Sequence, residues 1–212
     1  MQKKISGFIL IVALFVLAAG PLAAQDNDAK IQEEIVNLIN KVRKNLLMLT
    51  EYGPFDYITF SLARSEKGYT VILKGFASRP SLKDAAEKTV QRVDRVANVD
   101  NQIEVLPVSP SDEEIRMEAY VKIYGNQSLS RYNPGRGVPI YGRDVARASL
   151  FGISQNPPVG FHPISIIVKN GHLTLEGVVD SEFDKNLAST VAGQVKFAFS
   201  VTNNLVVPDL GK

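Results

Sequence analysis

Cysteine is absent from the chain and histidine occurs twice, as His162 and His172. Without thiols there is no disulfide framework, no thiolate nucleophile and no thiolate metal site. Nor can a lipid be attached through an N-terminal cysteine. Two imidazoles make at most a weak zinc site, since Zn²⁺ takes four ligands, at least three of them from protein. No G-x-S-x-G is present to form a nucleophile elbow. The run "NPGRGVP" lacks the Lys-Ser/Thr of a phosphate loop and reads as a plain turn. Glu113, Glu114 and Glu118 suit a helix start that complements the macrodipole. These shortages point away from an enzyme, and no cofactor, metal or small-molecule substrate is expected.

A surplus of charge is also missing. The chain carries 24 Lys+Arg against 22 Asp+Glu. Two of the lysines, Lys3 and Lys4, precede an apolar run from Ile5 to Ala19, then Gly20-Pro21 and the small residues Ala23-Ala24. That is the pattern of a signal peptide over residues 1–24. Its apolar core is shorter than the ~20 residues of a spanning helix, and an uncleaved N-terminal anchor is the alternative. Export to the periplasm, or secretion, follows. The remainder is electrically neutral, which gives no reason to expect nucleic acid as a partner.

Beyond the leader, Ile31, Ile35, Leu38, Val42, Leu46 and Leu49 repeat at helical spacing after Asp28. Alternation over Tyr57–Leu62 and Tyr69–Phe76, about a Glu66-Lys67-Gly68 turn, predicts a hairpin. Ser81 with Asp84 suggests a capped helix, and Val99–Leu106 a third strand. The order then recurs. Ser111 with Glu114 opens a helix to Tyr124, and Ile164–Val168 and Leu173–Val179 flank an Asn170-Gly171 turn. Ser181 with Asp184 opens a further helix, and Val201–Val207 is the last strand.

The recurrence has a constant offset of 102 residues. Gly75, Lys83, Ala86, Val93, Val99 and Asn101 meet Gly177, Lys185, Ala188, Val195, Val201 and Asn203 without a gap. Two copies of one module are written in the chain. The expected fold is α+β: two αββαβ modules, each a small mixed three-stranded sheet covered by two helices. The boundaries fall at 25–107 and 108–212, with a long insertion at 125–163.

The runs "VKNGHLTLEGVVDS" and "VTNNLVV" resemble the BON domain of osmotically inducible periplasmic proteins and other envelope proteins, and "YTVILKGFAS" with "VANVDNQIEV" is a weaker version. The resemblance spans Tyr57–Val105 and Ile164–Val207. It implies tandem modules behind a signal peptide, with envelope attachment or phospholipid and protein binding, and no catalysis. The second copy departs in its insertion and in "FAFSVTNN", which replaces the glycine-containing turn that usually precedes the last strand.

Seven residues, Thr50–Asp56, join helix to strand in the first copy, against about 39 in the second. A loop that long is usually functional. It holds Arg131, Arg136, Arg143 and Arg147 against one acid, Asp144, interleaved with Tyr132, Tyr141, Phe151 and Phe161. Val145, Ala148 and Leu150 suit a short helix. The preceding helix carries one stripe of Ile115, Ala119 and Ile123 and a second apolar sector of Met117, Tyr120, Val121 and Tyr124. A helix apolar nearly all round is covered by something. Either the insertion folds back over the second sector, or that sector docks on a partner. On the docking reading, Met117, Tyr120, Tyr124, Tyr132 and Tyr141 give apolar contact. Arg131, Arg136, Arg143 and Arg147 engage phosphates or acidic side chains. The expected partner is a phospholipid surface with anionic head groups; an envelope protein, bound by an assembly or chaperone-like factor, is the alternative.

Overall fold

The computed structural model describes residues 23–134 and 160–209, with side chains from residue 29 onward. The leader pattern up to residue 22 lies outside the described residues, as do Arg136, Tyr141, Arg143, Arg147 and the short helix expected after Val145.

Helix α1 (Ala23–Leu47) buries Leu38, Val42 and Leu46, three members of the expected stripe. It is followed by β1 (Tyr57–Ser65), β2 (Gly68–Ala77), α2 (Pro80–Gln91), β3 (Val96–Asn101) and β4 (Glu104–Val105). β1 and β2 pair antiparallel, while β3 and then β4 run parallel to β2. The second module comprises α3 (Pro110–Tyr124), a single 3-10 turn (Ser130–Tyr132), β5 (Ile164–Lys169), β6 (His172–Gly177), α4 (Glu182–Ala192) and β7 (Ser200–Asn203). There β5–β6 is antiparallel and β6–β7 parallel. Two small mixed sheets with helices packed on them are therefore present, in the predicted order.

The third strand of each copy breaks at an asparagine, for a shared reason. Asn101 donates from Nδ2 to the Lys83 carbonyl of α2 (3.1 Å) and accepts at Oδ1 from the Ile103 amide (3.2 Å). Asn203 does the same with Lys185 of α4 (2.8 Å) and Leu205 (3.1 Å). One side chain thus ties helix to strand and turns the backbone so that Ile103 or Leu205 enters the core. In the first sheet the strand resumes as β4; in the second it resumes as a bridge between Val178 and Val206.

Two helix starts differ from expectation. α2 is preceded by Arg79 with no side-chain cap, because Pro80 opens the helix; Ser81 instead donates to Glu51 (2.5 Å). α3 is capped by Ser109, whose Oγ accepts from the Asp112 amide (3.2 Å), not by Ser111. Again a proline, Pro110, takes the first helical position. Ser181 does cap α4, accepting from the Asp184 amide (3.2 Å).

The modules exchange aromatic rings. Phe55, from the first module's α1–β1 connection, packs in the second core beside Tyr120. Phe161 packs against the first core. The Gly160 amide donates to Tyr52 O (2.7 Å), Ile166 to Pro54 O (2.7 Å) and Ser165 Oγ to Asp56 O (2.8 Å). The outer edge of β5 is thereby covered.

Candidate functional site

Met117, Tyr120, Tyr124 and Tyr132 are interior residues, each less than a tenth exposed. Phe55, Leu129 and Tyr132 belong to the same core as the second sector of α3. Tyr124 donates its hydroxyl to the Ile164 carbonyl. Burial raises the phenol pKa of Tyr120, Tyr124 and Tyr132, so all three are neutral donors. In this arrangement these four side chains offer no free face to a partner.

Arg131 is about half exposed and is paired with Asp184, which is fully buried at the start of α4. The same Asp184 oxygen accepts from Tyr132 Oη (2.9 Å) and Ser181 Oγ (2.6 Å). Tyr132 Oη in turn accepts from the Asp180 amide (2.9 Å). This network fastens the first turns of the insertion to α4, so Arg131 acts as a clamp with one side open to solvent. Arg116, buried, donates to the Val168 carbonyl (2.8 Å) and pairs with Glu113 (3.0 Å). The two histidines lie at opposite ends of β5. His162 is buried between Tyr120 and Tyr124, and His172 is exposed at the hairpin tip. Among the described residues no group of three or more potential metal ligands is found.

What is exposed lies elsewhere. The loop from Gly193 to Phe199 leaves α4 and enters β7 at the tip of the β5–β6 hairpin. Phe197 is 69% and Phe199 79% exposed, with Lys196 exposed between them and the helix. Exposed apolar residues are common singly, whereas these two lie two residues apart on one loop, which makes them the candidate contact surface. At the offset of 102 their counterparts are Arg95 and Ala97. Phe197 keeps the left-handed backbone of Arg95, at φ +62° against +72°, so the loop shape is common to both copies while the apolar side chains are particular to the second.

Phe199 is held in place. The Phe199 amide donates to Gly171 O (2.8 Å), and its ring lies on Gly171, where a β-carbon would come within 2.6 Å of it. The His172 ring meets Phe199 edge-on at 6.0 Å, and the Lys196 amide donates to Glu118 of α3 (2.9 Å). The hairpin tip is itself locked. The buried Asp112 carboxylate accepts from the Asn170 amide (2.8 Å) and the Gly171 amide (2.7 Å). Lys169, partly exposed beside the tip, pairs with Glu104 (2.5 Å). The result is a firm platform with two phenyl rings and basic side chains at one end of the second module. Arg131 sits at the other end of α4. The phenylalanines were visible in the sequence only as the "FAFSVTNN" departure, since outward-facing and core phenylalanine read alike.

The BON domain sequence profile matches residues 63–107 and 149–209, half of the chain. No curated protein matches the chain. Among solved structures it is similar to the C-terminal domain of CdsD, described as the structural protein of the type III secretion system of Chlamydia trachomatis. The identity is 13%, with 82% of this chain and 98% of that one covered and a TM-score of 0.27. A second CdsD structure from the same organism aligns at 14% identity over 82% of this chain and 94% of that one, with a TM-score of 0.26. Likeness at that level carries no functional weight. The duplicated helix–hairpin–helix–strand unit defines a tandem module protein of the binding kind, and the chain belongs to the BON domain family. BON domains are non-catalytic binding modules of membranes and the cell envelope. Among the described residues no helix is long and apolar enough to cross a membrane.

Proposed function

We propose that the protein is exported by its first 24 residues and docks peripherally on an anionic phospholipid surface of the envelope through its second module. The observation that carries this reading is the exposed pair Phe197 and Phe199, the second of them bonded through its amide to the hairpin tip. Phenyl rings on a rigid tip enter the head-group region at little entropic cost, because their loop is already ordered. Lys196 beside them favours anionic lipid, by about 1 kcal/mol for a basic residue near the surface. Arg136, Tyr141, Arg143 and Arg147 of the insertion supply further attraction in this proposal, which rests for them on composition alone. Met117, Tyr120, Tyr124 and Tyr132 serve as the core that holds the platform.

The test is co-sedimentation with phosphatidylcholine vesicles, with and without phosphatidylglycerol, at low and high salt. Binding is expected with the anionic vesicles, reduced by salt. A Phe197→Ser/Phe199→Ser variant should lose on the order of tenfold or more in partitioning. Unchanged binding by that variant would overturn the reading. Aromatic and basic residues also suit protein interfaces. An envelope protein retained stoichiometrically, with vesicles ignored, would replace lipid as the partner.

A further inference from the structure

The two copies treat the same sheet edge differently. By their partners in the hairpins, Ile58, Phe60 and Leu62 of β1 correspond to Ile164, Ile166 and Val168 of β5. In an antiparallel pair, alternate residues turn their amide and carbonyl away from the partner strand. On β5 these outward groups are engaged. Tyr124 donates to the Ile164 carbonyl, the Ile166 amide donates to Pro54 O (2.7 Å), and Arg116 donates to the Val168 carbonyl (2.8 Å). On β1 the Ile58 amide donates to Tyr52 Oη (3.5 Å), which places Ile58, Phe60 and Leu62 in the same outward set. Among the described residues, no group bonds the outward backbone of Phe60 or Leu62. An open edge strand is a template for another strand, and folded proteins usually block it with lysine, proline or a bulge. β1 is nine residues long, "YITFSLARS", with one charge, no proline and an unbroken register against β2.

A groove of about 450 Å³ adjoins this edge. Ile58 and Phe60 line it together with Ile39 and Leu46 of α1, and Val178 and Val206 of the second module also line it. These second-module residues shield the start of the edge from a second folded copy and leave room for a single extended segment. The molecule already shows that mode at β5, where Pro54 O accepts from the Ile166 amide and Asp56 O from Ser165 Oγ. We propose that the β1 edge takes up an extended segment of another polypeptide as an added strand. Its backbone bonds to Phe60 and Leu62, and its apolar side chains, alternating with polar ones, enter the groove. The site is separate from the docking tip, since β1 belongs to the first module and Phe197 and Phe199 to the second.

The probe is a short, capped, fluorescently labelled peptide alternating leucine with threonine, titrated with the full chain and read by anisotropy. Saturable binding is expected. The same peptide with two adjacent central amides N-methylated loses a donor on both of its edges, and should bind weaker by on the order of tenfold or more. Hydrogen exchange gives the direct readout: the peptide should slow the Phe60 and Leu62 amides. The Ser61 amide, already in the β1–β2 ladder, should change little. Leu62→Pro removes an outward donor while leaving that ladder intact, and should abolish binding. Val206→Phe, which enlarges a partly exposed residue of the groove, should weaken it. The melting temperature of each variant reports on its fold, and exchange in the parent chain decides the matter if Leu62→Pro fails to fold. Phe197→Ser/Phe199→Ser should leave peptide binding unchanged, which separates this result from the vesicle result. Absence of saturable binding, equal affinity for the N-methylated peptide, or unslowed exchange at Phe60 and Leu62 would each overturn the proposal. So would a dimer of the free chain that Leu62→Pro dissociates, since the edge would then belong to a second copy.

Discussion

Gly75 and Gly177 show at single-residue resolution why the repeat reads as it does. Each has a positive φ, +112° and +122°, and each lies where a β-carbon would come within about 2 Å of a carbonyl oxygen, that of Tyr57 or Pro163. The backbone of the hairpin partner crosses too closely for any other residue. Gly177→Ala is expected to destabilise the protein by about 3 kcal/mol, combining backbone strain with a forced shift of the neighbouring strand. Urea denaturation checks it, and a change within about 0.5 kcal/mol would contradict the contact. His162 makes a pH-dependent case. Burial lowers its pKa from 6.5, offset in part by its bond to the Gly160 carbonyl (2.8 Å). The unfolded chain therefore takes up this proton first. The contribution is intact above about pH 6.5 and is lost as pH falls from there towards the folded-state pKa. His162→Phe, which keeps a ring between Tyr120 and Tyr124, should flatten the decline in urea midpoint between about pH 7.5 and 5.5. A variant with the parent's full decline would contradict this.

At the scale of elements, most of the order was legible because it rests on local periodicity. Leu38, Val42 and Leu46 follow helical spacing; Leu173 and Leu175 alternate and are buried; Asn170-Gly171 is a hairpin turn. Two caps slipped because Pro80 and Pro110 each start a helix ahead of the serine that pattern alone selects. The second sector of α3 was legible as apolar, but its cover was not. Part of that cover is Phe55, more than sixty residues away in the other module, which no local pattern encodes. The exposed tip was hidden for the converse reason: whether Phe197 and Phe199 face inward depends on how α3, α4 and the β5–β6 hairpin meet. Asp112 fixes the hairpin's part in that arrangement, since it holds the tip to the start of α3. Asp112→Ala leaves the Asn170 and Gly171 amides without their acceptor and should cost about 3 kcal/mol. Hydrogen exchange at those two amides should accelerate selectively. Unaltered exchange would show that the tip is held by other contacts.

At the scale of the whole molecule, the two copies share a frame and differ in what they place on it. Both copies keep the glycine, the asparagine tie and the left-handed residue before the third strand. The first copy places Arg95 at that last position and pairs it with Glu34 of α1 (2.7 Å). The second places Phe197 there and Phe199 two residues on, leaving an apolar tip open. Reciprocal insertion of Phe55 and Phe161 ties the two modules together. Entry of this tip into a membrane is the proposed mode of docking. The chain contains no tryptophan, so Phe199→Trp gives a single indole whose emission reports the tip alone. Addition of phosphatidylglycerol-containing vesicles should shift the emission to the blue, and lipids brominated near the head group should quench it. An indole that stays in water while the vesicles are present would contradict the claim.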